Sequence, residues 1–368
     1  AVIGESESDR SAAKISFRED RMIHVGVIGC GRIAQVRHLP EYAENKNVAI
    51  TGVYDLNHER AEAISRQYGA KAYSSHEELL ADQEIEAVSV CAANNAHAQI
   101  TIEALKAGKH VLCEKPMAVT LDECVEMVET AERCGKYLMI GHNQRLAPSH
   151  KRAKELIAGG AIGKILTFKT NFAHCGPETW TVDSQKNWFF DKSKSVFGAM
   201  ADLGIHKTDL IQYLTDQKIT EVEAVVTTLD KKDSSGQLIQ VDDNALCIYR
   251  MEQGIIGTMT VSWTCYGKEE NSTILYGTQG VMRIYDDPNY SIIIEKRDGT
   301  REFYQVDQIQ TNDHQTKSGV IDMWVDCLVN HHEPEISGKE ALSAMKAVFA
   351  ALESSRTGQK VCVRQGEL

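Results

Sequence analysis

The chain has 368 residues, of which 42% are apolar and 25% are charged, a balance that is ordinary for a globular protein and excludes wholesale disorder. Lys and Arg number 40 against 52 Asp and Glu, so the formal net charge is −12. An acidic chain repels a phosphate backbone, and nucleic acid is therefore not an expected partner. At roughly 150 residues per domain, the length allows two or three domains.

The ten cysteines are scattered along the chain without any CxxC pair. This pattern predicts reduced thiols and a reducing, cytoplasmic location rather than a disulfide scaffold. No apolar run approaches the ~20 residues needed to cross a bilayer, so a membrane partner is not expected. Residues 1–21 are polar and charged, without the apolar core of a signal peptide, and we interpret them as an arm, a processed leader or a tag remnant.

From Met22 to about Asn143, short apolar runs alternate with helical patterns at the spacing of βαβ units. Runs such as 25–28 and 87–90 are apolar on both faces, as central parallel strands must be. The pattern predicts an α/β unit with a doubly wound parallel sheet. Its strands are predicted at 24–29, 48–55, 87–92, 110–114 and 137–141, and its helices at 59–68, 98–107 and 121–134.

After about residue 165 the pattern changes to strict alternation. Over 258–266, Met259, Val261, Trp263 and Cys265 share one face, while hydroxyl-bearing residues occupy the other. Such two-faced strands are typical of an antiparallel sheet. The strands are predicted at 165–172, 221–228, 245–251, 258–266, 272–276, 281–285 and 291–296, followed by helices at 320–330 and 339–357.

The boundary between the two units falls near residues 141–148, where no flexible linker is visible. We therefore predict a cofactor domain over 22–143 and a substrate-binding and oligomerisation domain over 144–368, packed tightly around a shared cleft. The last helix, 339–357, is placed so that it can pack back on the first domain.

The string Gly29-Cys30-Gly31-Arg32-Ile33-Ala34 fits G-x-G-x-x-A, directly after a predicted strand and at the start of a helix. In this motif the first glycine allows a tight turn, the second lets the backbone approach a pyrophosphate, and the alanine lets helix and strand pack closely. The anion would rest on free N–H groups at the helix N-terminus. The predicted cofactor residues of this loop are Gly29, Gly31, Arg32, Ile33 and Ala34.

Asp55 ends the second predicted strand, 24 residues beyond Gly31. A carboxylate at about this spacing binds the adenosine ribose hydroxyls, and its charge repels the 2′-phosphate of NADP. The pattern therefore favours NAD, with NADP still possible because His58 and Arg60 could soften the repulsion. Arg60 is expected on a solvated helix face. Alternatively, Asp55 simply caps the following helix.

The stretch A-L-K-A-G-K-H-V-L-C-E-K-P-M-A over 104–118 resembles the glucose-fructose oxidoreductase / inositol dehydrogenase (Gfo/Idh/MocA) family of NAD(P)-dependent sugar and polyol dehydrogenases. The strings N-N-A-H at 94–97, G-H-N-Q-R at 141–145 and G-A-M-A-D-L-G-I-H-K-T-D-L at 198–210 also fit, in order along the chain. The resemblance implies a Rossmann domain followed by an α+β domain with a large, mostly antiparallel sheet. Ala92 and Ala93 depart from the family's common Thr-Pro, which affects loop shape more than chemistry.

Oxidation of a secondary alcohol removes a hydride from carbon and a proton from oxygen. The resemblance assigns Lys115, Asp202 and His206 as the catalytic set. Lys115 follows a parallel strand, where it can favour the anion of the reacting oxygen. Asp202 and His206 are spaced i,i+4, so on a helix they share a face. His206 is the expected acid and base, with its protonated form stabilised by a carboxylate, and Asp202 orients it or the substrate. The alternative is a helix-capping Asp202 and a core histidine.

Other candidates follow from the same motifs. Asn94 and His97 match the family loop beside the nicotinamide, and Glu114 precedes the catalytic lysine. Arg145 either holds a hydroxyl-rich substrate or braces the domain interface. No metal site is predicted, since no ligand accompanies His331 and His332 at suitable spacing. The remaining substrate candidates are Asn143, His174 and Trp188, the last two in a segment, 172–197, that carries no recognisable motif.

These observations together predict an enzyme, an NAD(P)-dependent dehydrogenase or reductase acting on a secondary alcohol or ketone of an inositol, a sugar or a related polyol. Two alternatives remain open: an NAD-dependent glycosidase of the same superfamily and a sensor that binds the cofactor without catalysis. The family commonly pairs the second-domain sheet between subunits, so a homodimer or homotetramer is expected.

Overall fold

The computed structural model describes residues 21–182, 187–309, 311 and 317–365, so nearly all of the predicted arm over 1–21 lies outside the described residues. The first sheet has six parallel strands in the order β3-β2-β1-β4-β5-β6, as the sequence predicts for a doubly wound sheet. Its central strands are buried on both faces, which accounts for their continuous apolar runs. The strands are β1 (Ile23–Ile28), β2 (Val48–Tyr54), β3 (Lys71–Ala72), β4 (Ala87–Val90), β5 (His110–Cys113) and β6 (Leu138–Ile140).

Helices connect these strands, and local capping signals set their ends. At the start of α5, Thr120 and Glu123 form a capping box, and Gly135 ends the helix in the left-handed conformation. The predicted range 121–134 is therefore confirmed. The helices are α1 (Leu39–Glu44), which continues a π-helical turn at Ala34–His38, α2 (His58–Tyr68), α3 (His76–Ala81), α4 (His97–Lys106) and α5 (Leu121–Cys134).

The second sheet has nine strands in the order β14-β13-β12-β11-β7-β10-β9-β8-β15, and neighbours are antiparallel except the parallel pair β7 and β10. Residues 258–261 alternate between exposed threonine and buried Met259 or Val261, as predicted. The strand ends at Ser262, short of the predicted 266, because the Ser262 hydroxyl accepts the Thr264 N–H locally. The strands are β7 (Ile165–Ala173), β8 (Ile219–Thr227), β9 (Asn244–Met251), β10 (Ile256–Ser262), β11 (Thr273–Gly277), β12 (Gly280–Ile284), β13 (Ile292–Lys296), β14 (Arg301–Tyr304) and β15 (Val361–Cys362).

Four further helices complete the fold: α6 (Pro148–Ala158), α7 (Ile205–Thr215), α8 (Val320–Asn330) and α9 (Gly338–Thr357). α9 packs on both β8 and α5 and so contacts both units. α8 returns to the first unit, where Ile321 and Trp324 are buried in one cluster with Val25 and Val27 of β1. The domain boundary near residue 143 stays a prediction. Because α8 packs against β1, the two hydrophobic cores cannot be separated by dividing the chain at one position. Among the helices of the described ranges, none is long and apolar enough to cross a bilayer.

Candidate active site

A cavity of about 710 Å³ is lined by residues of both units. Gly31 and Asp55 lie on its wall, and so do Lys115, Asp202 and His206. The predicted cofactor loop and the predicted catalytic residues therefore share one continuous space, although they are widely separated in the sequence.

The glycine loop has the conformation that its motif predicts. Gly29 has a φ of +92°, and a Cβ there would lie 2.6 Å from the carbonyl of Cys91. A Cβ on Gly31 would meet no atom within 4 Å, while Ala34 is fully buried. The first bond that closes the helix runs from the Gln35 N–H to the Gly31 carbonyl at 3.1 Å, so the preceding N–H groups have no helical partner. This open, donor-rich turn fits a pyrophosphate.

Asp55 is buried at the end of β2 and accepts the N–H groups of Cys30 at 2.7 Å and Asn57 at 2.8 Å. Its Oδ1 also lies 3.3 Å from Nη1 of Arg60. The expectation that Arg60 lies on a solvated helix face is therefore wrong: the carboxylate draws the guanidinium inward, and its side chain is only 17% exposed. Asp55 thus ties the glycine loop to β2 with a cation beside it.

Glu114 is a buried anion on the cavity wall. His38 contacts its Oε1 at 2.8 Å, and Nη1 of Arg37 lies 3.7 Å from the same atom. Burial raises the pKa of Glu114, but the His38 hydrogen bond and the charges of His38, Arg37 and Lys115 outweigh it and lower the pKa to about 2. Glu114 also accepts the backbone N–H of Lys115 at 3.2 Å and so orients the residue that follows it. Sequence reasoning missed Arg37 and His38.

The loop at residues 94–97 links the two units. Nδ2 of Asn94 donates to the Ser195 carbonyl at 3.0 Å, and Nδ2 of Asn95 donates to the Ser193 carbonyl at 3.0 Å. His97 lines the cavity but is buried, with its ring nitrogens 2.7 Å from the Pro116 carbonyl and 3.0 Å from the Ala92 carbonyl. Burial lowers the pKa of His97, which favours the neutral ring. His97 thus braces two loops.

Lys115 and Asp202 form an ion pair at the cavity. Nζ of Lys115 lies 2.7 Å from Oδ1 of Asp202 and 3.0 Å from its backbone oxygen. Nε1 of Trp263 donates to the second carboxylate oxygen at 3.1 Å. Burial raises the pKa of Asp202, but Lys115, His174 and these hydrogen bonds reverse the effect and lower it. Asp202 is consequently an anion that fixes the lysine.

His206 is buried beside Phe172, with their ring centroids 6.3 Å apart. Its Nδ1 has no hydrogen-bond partner among the described residues. Burial and the positive charge of Lys115 place the pKa of His206 well below its ordinary value. The expectation that a carboxylate stabilises protonated His206 is therefore wrong, because Asp202 faces Lys115 instead. The lowered pKa favours the neutral imidazole, which has one nitrogen free of a proton.

A carboxylate far along the chain holds the start of the helical segment that carries Asp202 and His206. Asp242 accepts the Gly198 N–H at 2.8 Å and the Met200 N–H at 2.6 Å, just before a π-helical turn at Met200–Gly204 that carries Asp202. A Cβ on Gly198 would lie 1.7 Å from the Asp242 backbone oxygen. Sequence reasoning missed Asp242, since it lies far along the chain from the helix that it caps.

Three of the predicted substrate residues, Asn143, His174 and Trp188, line the cavity. Nδ1 of His174 accepts the Gly176 N–H at 2.9 Å, and burial lowers the pKa of His174, so Nε2 carries the proton of a neutral ring. Trp188 stacks on Phe189 at 4.1 Å. Residues 183–186 of the predicted specificity segment lie outside the described residues.

Arg145 is not part of the cavity wall. It binds Asp209 through two bonds of 2.6 Å and also contacts Glu340 of α9 at 3.2 Å. The pKa of Asp209 is held well below its usual range because these charges and bonds outweigh burial. Of the two roles considered for Arg145, the structure does not support substrate binding, because the side chain is buried off the cavity wall; its bonds instead join α7 to α9 within the second predicted domain. Within the described ranges, no group of His, Cys, Asp and Glu is arranged to hold a metal ion.

Comparisons with known proteins place this geometry in a family. Residues 23–142 match the model of an oxidoreductase family with an NAD-binding Rossmann fold, and residues 150–283 match the GFO/IDH/MocA C-terminal domain. The chain is 34% identical to glucose-6-phosphate 3-dehydrogenase of Bacillus subtilis over 61% of its length, spanning 63%, just under two thirds, of that enzyme. It is 26% identical to myo-inositol 2-dehydrogenase of Thermotoga maritima, covering 90% of this chain and 96% of the relative.

Solved structures share the fold. The chain superposes on levoglucosan dehydrogenase in complex with NADH and levoglucosan with a TM-score of 0.82, at 23% identity, over 93% of this chain and 100% of the other. An oxidoreductase from Agrobacterium radiobacter in complex with NAD+, L-tartaric acid and magnesium gives a TM-score of 0.80 at 23% identity, over 93% of this chain and 98% of the other. These likenesses show the fold, and the two matched domain models show that the chain belongs to the Gfo/Idh/MocA family of NAD-binding oxidoreductases.

Proposed function

We propose that the protein transfers a hydride between NAD and a secondary alcohol or ketone of an inositol, a sugar or a related polyol. The observation that carries this proposal is the Lys115–Asp202 ion pair beside a neutral His206, on the wall of the cavity that the glycine loop also lines. A cation and a proton acceptor beside one space are what alcohol oxidation requires of the protein.

Each side chain has a role in this chemistry. NAD, when bound, accepts the hydride. Lys115, held by Asp202, donates a hydrogen bond to the reacting oxygen and favours its anion. His206 accepts the hydroxyl proton at Nε2, because its Nδ1 is enclosed by protein. In the reverse direction, the same nitrogen returns the proton.

The cofactor residues are assigned on the same basis. Gly29, Gly31 and the loop residues Arg32, Ile33 and Ala34 would hold the pyrophosphate through backbone N–H groups, and Asp55 would bind the ribose hydroxyls. We infer a preference for NAD from the Asp55 charge, softened by Arg60 at 3.3 Å. At the nicotinamide end, the loop of Asn94 and His97 and the residues Glu114 and Lys115 complete the assignment.

The substrate class is inferred from the cavity wall and from the relatives. The Nε2 proton of His174 and the amide of Asn143 are able to bind hydroxyl groups, and Trp188 offers an aromatic face for a sugar ring. The net charge of −12 favours a neutral polyol over a polyanion. Relatives are named for levoglucosan, myo-inositol and glucose 6-phosphate, which all carry secondary alcohols.

A panel assay tests the function. The purified protein is incubated with NAD or NADP and a series of inositols, sugars and sugar acids, and the absorbance of the reduced nicotinamide is followed. We expect growth of this band with at least one polyol. Release of an aglycone from a glycoside without net growth of the band would instead favour the glycosidase. Cofactor binding without either reaction would favour the sensor.

We also propose a homodimer or homotetramer formed through the open face of the second sheet. Val225 of β8 and Leu246 and Ile248 of β9 are 60%, 54% and 54% exposed on strands whose intervening residues point to the core. Exposed apolar side chains that are contiguous on a sheet mark an interaction surface.

A reducing, cytoplasmic location is a further proposal. All ten cysteines are unpaired, and six of them are buried. Burial raises the pKa of Cys30 and Cys113 to about 12, so these thiols are unreactive. Quantitative thiol labelling of the unfolded protein, purified without reductant, should find ten free thiols.

A further inference from the structure

Lys207 is a fully buried lysine next to His206 on α7, and the catalytic steps do not use it. Its Nζ donates to Oδ1 of Asn271 at 2.8 Å, and among the described residues no carboxylate pairs with it. Burial lowers the pKa of Lys207 to about 7. His150, whose pKa is lowered by burial and by the Lys207 charge, is a neutral neighbour. Because an ammonium without a counter-ion destabilises a protein core, packing alone does not explain this residue.

The hydrogen bond decides how the Asn271 amide is oriented. Nζ of Lys207 donates to the amide oxygen of Asn271, and the protonated lysine, which has donors and no acceptor, favours this orientation. The amide nitrogen, Nδ2, then points away from the lysine. Asn271 lines the same cavity as Asp202 and His206, and its Nδ2 makes no hydrogen bond to the described residues. The cavity wall therefore carries a fixed, unsatisfied donor.

We propose that Asn271 is a specificity-determining residue that donates from Nδ2 to one oxygen of the bound sugar or polyol, and that Lys207 is a positioning residue that holds this amide in its donating orientation. The inference rests on the proposed function and adds a chemical requirement on the substrate. The substrate group at this place must accept a hydrogen bond, as a hydroxyl or a carboxylate does. A substrate with a bare methylene or an ammonium group there is rejected, because the amide donor is left unpaired or faces a cation.

Asn271→Asp tests the donor. The replacement has nearly the same shape and gives Lys207 a counter-ion, so the fold is kept, but the oxygen that replaces Nδ2 cannot donate. For the polyol identified in the panel, we expect KM to rise about tenfold, as for the loss of one hydrogen bond, with kcat nearly unchanged. Asn289→Asp is the control, since Asn289 is exposed and lies outside the cavity wall, and it should leave KM unaltered.

Deoxy analogues locate the substrate oxygen. The unaltered protein should discriminate about tenfold against one monodeoxy analogue through this contact, and Asn271→Asp should abolish that discrimination at one ring position only. An unchanged KM together with unchanged discrimination at every position would overturn the inference. Turnover of the polyol by the unaltered protein separates this failure from that of the proposed function, which fails if no panel member is oxidised.

Lys207→Met tests the positioning role. Methionine fills similar space without the charge, so we expect an equal or higher midpoint of thermal unfolding. The amide is then free to rotate, and KM should rise several-fold while kcat is kept. A lower unfolding midpoint with an unchanged KM would show that Lys207 is only structural. If this variant does not fold, the kinetics of Asn271→Asp decide.

Discussion

The carboxylate of Asp55 and the guanidinium of Arg60 lie 3.3 Å apart at the mouth of the cofactor cavity. The carboxylate proposed to bind the ribose therefore has a cation beside it that a 2′-phosphate would meet. The preference between NAD and NADP should therefore depend on two opposite charges, that of Asp55 directly after β2 and that of Arg60 on α2.

Removing the Asp55 carboxylate should shift the cofactor preference toward NADP. Asp55→Ala leaves Arg60 charged and removes the repulsion of the 2′-phosphate, so the ratio of kcat/KM for NADP to that for NAD should rise at least about tenfold, or ~1.4 kcal/mol. Arg60→Ala should move the ratio the other way. Steady-state kinetics with both cofactors measure it, and an unchanged ratio in Asp55→Ala would remove Asp55 from the ribose site.

Lys115→Ala should separate catalysis from cofactor binding. Lys115 pairs with Asp202 and, in the proposed reaction, donates to the reacting oxygen, so kcat should fall about 10²- to 10³-fold, the usual cost of one donor to a developing anion. NADH affinity, measured by fluorescence titration, should change less than about threefold. Lys151→Ala, on the exposed side of α6, is the control. Equal losses of turnover and affinity would indicate that Lys115 acts only by holding the cofactor or the fold, and would contradict its proposed role at the reacting oxygen.

The neutral state of His206 predicts the acid limb of the pH profile. Because its pKa is well below the ordinary value, the imidazole stays deprotonated, and kcat/KM for oxidation should hold level as pH falls through 6.5 and decline only at lower pH. A limb centred at pH 6.5 or above would contradict this assignment.

The same burial lowers stability in acid. The pKa of His150 is lowered to about 3, and that of His206 is lowered as well, so below about pH 6.5 the unfolded chain binds more protons than the folded one. The midpoint of thermal unfolding should therefore decrease as pH falls below this value. Measuring it at every pH of the kinetic profile distinguishes loss of catalysis from loss of fold.

Replacement by alanine should affect stability differently at Gly198 and at Gly31. At Gly198 the new Cβ would lie 1.7 Å from a backbone oxygen of Asp242, so Gly198→Ala should lower stability by at least about 1–3 kcal/mol and displace the catalytic helix. At Gly31 the Cβ meets nothing within 4 Å, so Gly31→Ala should keep the unfolding midpoint and weaken NADH binding alone. Similar unfolding midpoints for both variants would contradict this distinction.

A charge on the open sheet face should change the assembly. Leu246→Glu introduces a carboxylate among the exposed apolar residues of β9, and the mass in light scattering should fall toward that of one chain. Leu56→Glu, at a position 94% exposed beside the first sheet, should leave the mass unchanged. A monomeric mass for the unaltered protein would refute the proposed assembly.

Local signals explain which features could be predicted from the sequence. The bounds of α5 follow from the capping box of Thr120 and Glu123 and from Gly135, all within 16 residues of one another. The glycine loop is recognised from six consecutive residues, 29–34, and its conformation agrees with the G-x-G-x-x-A motif. The grouping of Lys115 with Asp202 could be stated only from the family resemblance, because no pattern joins residues so far apart.

The features that sequence reasoning missed depend on contacts between distant segments. The ion pairs of Arg145 with Asp209 and Glu340 connect three separate elements. No motif in the sequence indicates that these elements come together. The capping of Gly198 and Met200 by Asp242 has the same origin. The protonation state of His206 depends on which charges surround it after folding, so composition and spacing could not supply it.

The packing of α8 against the first sheet has a consequence for folding during synthesis. Trp324 fills the layer beside β1, and the Ile140 N–H of β6 bonds to the Ile336 carbonyl at 3.0 Å. During translation, the first six strands leave the ribosome long before these partners exist. The first sheet therefore cannot complete its packing until residues 320–336 have been synthesised. A fragment ending near residue 143 would lack both partners and leave the apolar layer beside β1 partly uncovered.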